Sequence, residues 1–188
     1  VGAGLPQIPE LTGAAKSYSE SLFNFPRIGS LPQEAAREAL VLPADEEDVQ
    51  YEEDALEEII GYTEGYPYFL QEFGRHVWNV ADGPTITRQD ALDARQAVQL
   101  QLDENFFRVR VARCTKAELE YLRAMAALGD APYRSGDIAA KLGRPGPQNV
   151  APIRSRLIEK GLIFSPSHGL NEFTVPHFAD FIRRNPPS

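Results

Sequence analysis

The sequence predicts a mainly α-helical protein of two modules, and three observations support that class. Helix-start patterns precede most of the apolar stretches, a single pair of strand-like stretches occurs near the C-terminus, and the two parts of the chain differ sharply in charge. The 188 residues, 43% of them hydrophobic, are enough for one large or two small cores. We therefore expect an irregular segment at 1–30 with one helix at about 11–23, a helical domain at 31–112 and a second domain at 113–188.

The helical domain is predicted from its helix starts. Ser30-Leu31-Pro32 places a proline in a first turn, and Gly65-Tyr66-Pro67 does the same before an aromatic-rich stretch. Thr87-x-x-Asp90 is a capping box, in which each side chain bonds the other residue's backbone amide. The predicted helices are 32–41, 52–63, 67–78 and 88–113, with an acidic loop at 43–48.

The last part of the chain is predicted to be a winged helix-turn-helix domain with a small β-hairpin. A second capping box, Thr115-x-x-Glu118, opens its first helix, and Ser135 and Asn149 are expected to cap the next two. The predicted helices are 115–128, 135–142, 149–160 and 176–184, and the predicted strands are 162–165 and 172–175. The order helix, helix, turn, helix, β-hairpin, helix is that of a winged helix.

The charge is unevenly distributed along the chain. Residues 115–188 hold ten Lys or Arg and seven Asp or Glu, a balance of +3. Since the whole chain has a formal net charge of −8, the remaining residues carry −11. This division supports two modules. It also argues against nucleic-acid binding through the bulk charge of the chain, because nucleic acid is a polyanion.

The sequence indicates a cytoplasmic protein. It has no signal segment and no apolar run near the ~20 residues that span a bilayer, so no membrane partner is expected. Cys114 is the single cysteine and therefore cannot form an internal disulfide. A half-buried thiol in a reducing compartment is the interpretation that we favour.

No catalytic or metal-binding pattern is present in the sequence. It contains no GxxxxGK[ST] loop to cradle phosphates, and His76, His168 and His177 are far apart along the chain. The acidic runs at 45–48 and 52–54 are typical of a solvated loop and of a first helical turn, where the helix dipole favours acids. We expect neither a catalytic residue nor a metal site, and we expect no enzymatic activity from this part of the protein.

The helix predicted at 149–160 is the candidate DNA-reading element. The residue types that supply base and phosphate contacts are Arg, Lys, Asn and Gln. Those on and just before this helix are Arg144, Gln148, Asn149, Arg154, Arg156 and Lys160. Pro152 and Glu159 on its outward face are poor base readers, and the hairpin tip at 167–169 has no Lys or Arg for a groove. The residues therefore leave DNA contact and protein contact both open.

Several stretches resemble the region that follows the nucleotide-binding core in AAA+/STAND-type P-loop ATPases, akin to archaeal-type and origin-recognition AAA+ proteins. These stretches are 2–6, 15–31, the lid-like run Thr63-Glu64-Gly65-Tyr66-Pro67-Tyr68-Phe69-Leu70-Gln71, and the winged-helix-like runs 153–163 and 173–176. Together they extend over nearly the whole chain. The resemblance implies a parent protein with an N-terminal P-loop domain, a helical lid at about 31–112 and a winged helix after it. The Met-less, strand-like start Val1-Gly2-Ala3-Gly4 leads us to expect a piece of such a protein.

The resemblance also implies roles for individual residues. Gly65 and Pro67 match the Gly-x-Pro that lies near the nucleotide base in STAND relatives, although Gly-Tyr-Pro is also a good loop-to-helix junction. Arg27 stands where an arginine finger could lie. Tyr68 occupies the place of the AAA+ sensor arginine, a departure that puts hydrolysis chemistry by this lid in doubt. ATP and Mg²⁺ are expected in the parent protein rather than here, and the partners implied are its own ATPase domain and DNA or a protein.

Two other functions remain as alternatives. One is a free-standing transcription regulator, in which the helical domain dimerises or senses a ligand and the winged helix reads DNA. The other is a protein-interaction module whose winged helix never touches nucleic acid. The leading interpretation is a regulatory output region that couples the nucleotide state of an ATPase to DNA or partner binding.

Overall fold

The computed structural model describes residues 29–185. These residues form two compact units, 29–113 and 114–185. The mainly α class predicted from the sequence is confirmed, because helices dominate both units and the strands are only two to four residues long. Almost all of the segment 1–30 lies outside the described residues. Within them, no helix is both long and apolar enough to cross a bilayer.

The first unit is a bundle of four main helices with a minimal parallel sheet. Its elements are α1 (Gln33–Asp45), β1 (Gln50–Tyr51), α2 (Glu53–Thr63), α3 (Pro67–Val80), β2 (Thr85–Ile86), α4 (Arg88–Leu102), a π-helical turn (Asp103–Phe107) and α5 (Arg108–Val111). The strands β1 and β2 pair in parallel. The largest fully buried side chains of this unit are Leu56, Ile59, Phe69, Leu70, Phe73, Ile86, Leu102 and Phe107.

The helical unit departs from the sequence prediction in two places. Helix α1 continues through Pro43 to Asp45, so part of the expected acidic loop is helical. Ala44 explains the extension, since it is buried and its carbonyl accepts from the amides of Glu47 and Val49. The long helix expected from 88 to 113 contains a π turn, which shifts the phase of the helix and brings the consecutive Phe106 and Phe107 both into the core.

The second unit is a winged helix. Its elements are α6 (Lys116–Ala126), β3 (Tyr133–Arg134), α7 (Ser135–Lys141), a 3₁₀ turn (Pro147–Asn149), α8 (Ala151–Glu159), β4 (Ile163–Phe164), β5 (Leu170–Phe173) and α9 (Phe178–Arg184). The three strands form an antiparallel sheet in the order β3–β5–β4. The largest fully buried side chains of this unit are Tyr121, Leu122, Met125 and Phe178.

The two capping boxes are confirmed, but two single-residue caps are wrong. Thr87 with Asp90 and Thr115 with Glu118 each make both reciprocal bonds. Ser135, by contrast, is the first residue of α7, and its hydroxyl accepts a hydrogen bond from the side chain of Asn171. Asn149 ends the 3₁₀ turn, so Val150 is the residue that precedes α8. A tertiary contact replaces the predicted cap at Ser135, and a tighter turn replaces it at Asn149.

Candidate nucleic-acid interface

Helix α8 is fixed in the winged helix by the side chains that it buries. Val150 and Leu157 are fully buried, so the opposite face is directed to solvent. Pro152, Ser155 and Glu159 are exposed there, as the apolar spacing predicted. None of these three is a good base reader, because proline has no side-chain polar group and a glutamate repels phosphate.

Arg154 is bound inside the unit. Its Nε donates to the side-chain oxygen of Asn171 at 2.6 Å, and its Nη2 donates to the carbonyl of Leu170 at 3.3 Å. Asn171, which is fully buried, donates in turn to the carbonyl of Tyr133 and to the hydroxyl of Ser135. Arg154 therefore connects α8 to the sheet, and its guanidinium is used in these hydrogen bonds.

Lys160 and Arg156 share a carboxylate, that of Glu118 on α6. The ammonium of Lys160 donates to Glu118 Oε2 at 2.6 Å, and the Nε of Arg156 lies 3.4 Å from Glu118 Oε1. Glu118 is fully buried, whereas the side chain of Arg156 is 50% exposed. Burial opposes the charged form of Glu118, but the bonds from Lys160 and Thr115 outweigh it and lower the pKa of the carboxyl.

The segment 141–149, between α7 and α8, presents the remaining predicted DNA-contact residues. The residues Arg144, Gln148 and Asn149 are exposed, and so is Lys141 in the last turn of α7. The amide of Arg144 donates to the carbonyl of Ala139, which ends α7 and leaves the arginine side chain in solvent. Exposed cations beside backbone and amide donors are suited to phosphate oxygens.

The hairpin between β4 and β5 is tied down by its own polar groups. The hydroxyl of Ser165 lies within hydrogen-bond distance of the carbonyls of Ser167 and Leu170. Gly169 adopts a positive φ of 76° and its carbonyl accepts from the amide of Ser135. His168 is exposed at the tip. The tip thus contacts solvent without a permanent cation, as predicted.

The structure gives Gly65 and Pro67 local structural roles. Gly65 has a φ of 68°, and a Cβ there would lie 2.4 Å from the carbonyl oxygen of Leu31. The amide of Leu31 donates to the Gly65 carbonyl at 2.8 Å. Pro67 is the first residue of α3, where its missing amide costs nothing. Their roles near a nucleotide base stay predictions, and Arg27 lies outside the described residues.

Tyr68 belongs to an aromatic cluster around the π turn. Its ring stacks on that of Phe106, with centroids 5.0 Å apart, and the guanidinium of Arg110 lies 3.5 Å from the centroid of Phe106. Burial lowers the pKa of Arg110. Arg75, the nearest arginine after Tyr68 along the chain, pairs with Glu72. These contacts give Tyr68 a packing role where AAA+ proteins are expected to place a sensor arginine.

Two features of the helical unit affect which ligands could lie against it. The space that a Cβ at Gly65 would occupy is filled by the backbone of Leu31. A shallow depression between α2 and α4 is lined by Asp54, Glu57, Glu58 and Arg88, and its three carboxylates would repel phosphate. Among the described residues there is also no cluster of His, Cys, Asp and Glu suited to a metal ion.

Comparisons with known proteins give a limited result. Residues 104–182 match the model of a domain of unknown function, DUF8462. The match spans the winged helix and begins within the π turn of the helical unit. None of the curated proteins matches the chain.

Solved structures of RuvB from Thermotoga maritima are similar to this chain at 15% identity. A mutant covers 86% of this chain with a TM-score of 0.41, and a structure described as a Holliday junction branch migration motor covers 83% with a TM-score of 0.40. This chain spans about half the length of each, 51% and 50%. At this identity and TM-score the likeness does not establish the function of this chain.

The sequence did not indicate the two polar residues that organise this surface. The sequence pattern gives Glu118 only as half of a capping box, and Asn171 lies just outside the predicted strand 172–175. A signal for Glu118 existed, since Lys160 and Arg156 are spaced four apart on one side of the next helix but one. No local pattern pointed to Asn171, because its partners are 17 to 38 residues away.

Proposed function

We propose that this chain is the lid and winged-helix region of a P-loop ATPase, and that its winged helix holds nucleic acid by the phosphate backbone rather than by reading bases. The region acts as an output arm that couples the nucleotide state of the parent protein to that contact. It performs no catalysis itself, and it works in the cytoplasm.

One observation carries the phosphate-binding half of the proposal. Of the three cations on and just after α8, Arg154 is bound to Asn171 and Lys160 to Glu118, while Arg156 lies beside the same carboxylate. Base reading requires a side chain that can reach a base edge from this helix. The exposed cations Lys141 and Arg144 lie before the helix, where phosphates rather than base edges are the natural ligands.

The charge of the winged helix supports the same conclusion. Residues 115–188 carry a balance of +3, against −8 for the whole chain. Phosphate binding is driven by the release of counterions and therefore needs only a local excess of cations. A weak, sequence-independent affinity is the expected outcome, with dissociation constants on the order of 10⁻⁴–10⁻⁶ M at physiological salt.

The ATPase half of the proposal rests on the resemblance and on the order of the two units. A helical unit followed by a winged helix is what the resemblance implies. In the parent protein the P-loop domain would hold ATP and Mg²⁺, and no residue described in this structure is assigned to either. Gly65 and Tyr68 are used for packing, so the lid would cover a nucleotide without supplying a charged group to it.

The nucleic-acid half is tested by charge reversal at an exposed arginine. Arg144→Glu should lower the affinity of the 188-residue chain for a duplex about tenfold at low salt and make the salt slope shallower by about 1. Lys116→Glu is the matched control. It makes the same change in charge at an exposed residue of the same unit, in the first turn of α6, where an acid suits the helix dipole.

Equal losses in Arg144→Glu and Lys116→Glu would refute a defined phosphate-contact segment. A salt-independent affinity of the unmodified chain would refute phosphate contact altogether. The ATPase half has its own test, a nucleotide titration. The chain alone should bind ATP weakly, and a sub-micromolar affinity would contradict the assignment of the nucleotide site to another domain.

A protein partner is the competing function, and the outward face of α8 favours it. Pro152, Ser155 and Glu159 are exposed on that face and offer little to a polyanion. If the chain binds no duplex even at low salt, contact with a protein becomes the better account of this surface. The outcome of the salt titration therefore decides between the two.

A further inference from the structure

Glu118 makes two kinds of contact in the winged helix: it completes the helix cap of α6, and it pairs with a cation at the end of α8. Its Oε2 accepts from the backbone amide of Thr115 at 2.7 Å, which completes the capping box of α6. The same oxygen accepts from the ammonium of Lys160 at 2.6 Å. A fully buried carboxylate thus faces the end of α8, on which the predicted DNA-contact residues lie.

The second oxygen of Glu118 is the unusual feature. Oε1 is buried and makes no hydrogen bond, although a buried carboxylate oxygen normally has a partner. The Nε of Arg156 lies 3.4 Å from Oε1, an ion pair without hydrogen-bond geometry. Arg156 is therefore attracted to Glu118 but weakly held, and half of its side chain remains in solvent.

We propose that Glu118 is an internal competitor of the phosphate backbone: it holds Arg156 beside α6 when no nucleic acid is bound, and Arg156 turns to a phosphate when a duplex arrives. Lys160 keeps the carboxylate neutralised after Arg156 leaves. This inference rests on the proposed phosphate contact and deepens it, since it assigns a residue that sets the strength of that contact.

The exposure and the pair distances of the two cations favour Arg156 over Lys160 as the residue that moves. The Lys160 side chain is 29% exposed and makes a short bond, whereas that of Arg156 is 50% exposed and its pair is longer. A guanidinium can also donate two parallel N–H groups to a phosphate. The present contact of Arg156 with the Glu118 carboxylate lacks hydrogen-bond geometry and is therefore the weaker of the two. Arg156 lies on α8 and so belongs to the surface that presents Arg144.

Glu118→Gln is the variant that separates the helix cap from the attraction of Arg156. A glutamine at this capping-box position can still accept from the Thr115 amide, so the helix start is retained. The charge that attracts Arg156 is lost. We expect duplex affinity to rise about fivefold to tenfold at low salt, because binding no longer requires Arg156 to leave an ion pair, while the salt slope stays nearly the same, because Arg156 contacts a phosphate in both complexes.

Asp90→Asn is the matched control. Asp90 occupies the same position in the capping box of α4, so the substitution makes an equal change in charge and in cap chemistry within the helical unit. It should leave duplex binding unchanged. Arg156→Gln completes a double-mutant cycle, because it should remove the gain in the Glu118→Gln background and cost less in the unmodified chain.

The possible outcomes separate a failure of this inference from a failure of the proposed phosphate contact. Salt-dependent binding in the unmodified chain with no gain in Glu118→Gln overturns the inference alone, and so does a gain that persists without Arg156. No binding in any variant overturns both. If Glu118→Gln is unfolded, the Nε–Hε NMR resonance of Arg156 in the unmodified chain decides: it should shift on saturation with duplex, and a fixed resonance would refute the inference.

Discussion

The two units use their charged groups in opposite ways. The helical unit contains the acidic excess of the chain, and its arginines pair with carboxylates at the surface, as Arg95 does with Glu58. The winged helix is mildly basic, yet two of its cations, Arg154 and Lys160, are bound by Asn171 and by the fully buried Glu118. In the first unit apolar packing holds the core together and the charged pairs lie outside it. In the second unit polar groups connect the helices and the sheet.

The difference matters for function because connecting cations are not available to a ligand. A surface pair such as Arg95–Glu58 contributes little stability and its side chains exchange easily with solvent. A buried network fixes the direction of each member, and breaking it leaves a polar group unpaired. The winged helix thus uses Arg154 and Lys160, two of the six predicted DNA-contact residues, to keep its shape, and the contact shifts toward the exposed residues of the segment 141–149.

The largest expected effect is in the helical unit, at Gly65. Gly65→Ala forces a non-glycine residue to a φ of 68° and places its Cβ against the carbonyl of Leu31. We expect the unfolding free energy of this unit to fall by about 3 kcal/mol or more. Urea unfolding followed by the fluorescence of Trp78 measures it, because this single tryptophan lies in the helical unit.

Gly61→Ala is the control for that prediction. Gly61 lies in α2 with open space around the added methyl group, so alanine should be neutral or stabilise by up to about 1 kcal/mol. If Gly65→Ala proves as harmless as Gly61→Ala, the close approach to Leu31 is wrong. A role for Gly65 in nucleotide contact would then be favoured over its structural role.

The next effect is in the winged helix, at Asn171. Asn171→Ala removes the partner of Arg154, Ser135 and the Tyr133 carbonyl, all at a fully buried position. We expect a loss of about 2–3 kcal/mol, because the groups left behind remain desolvated. Amide hydrogen exchange of α6 and β5 reports it, and Asn149→Ala, at an exposed residue, should change it little. Equal effects would contradict the buried network.

Much of the fold follows from local pattern, and most of the site does not. The capping boxes at Thr87 and Thr115 and the proline at position 67 define helix starts that the structure confirms. The strands β1, β2 and β3 are absent from the prediction because two residues carry no periodicity, whereas the equally short β4 lies within the predicted strand 162–165. The partners of Arg154 and Lys160 could not be predicted, since they lie 17 and 42 residues away in the sequence and depend on packing.

Acid titration sharpens the comparison between the units. The pKa of Glu118 is lowered in the folded state, so its contribution is present above its unfolded pKa and is lost as pH falls through the folded value. The winged helix should therefore lose stability as the pH falls below about 4.5, and Glu118→Gln should lose less. Hydrogen exchange of α6 between neutral and acid pH measures the difference, and identical profiles would contradict the ion pair.

The smallest effect is expected at the surface of the helical unit. Arg95→Ala removes a pair with Glu58 and a contact with the ring of Tyr62, whose centroid lies 4.9 Å from the guanidinium. Exposed pairs are worth about 1 kcal/mol or less, so the Trp78 unfolding midpoint should move little. A loss as large as that of Asn171→Ala would erase the distinction between surface and connecting charge.

The most direct test of the central claim is the sequence selectivity of duplex binding. If the base-reading cations of α8 are held by Asn171 and Glu118, unrelated duplexes of equal length should bind the chain within a few-fold of one another, and all should weaken in parallel as salt rises. A duplex bound about a thousandfold more tightly than the rest would be sequence-specific recognition. That result would contradict binding through the phosphate backbone without base reading.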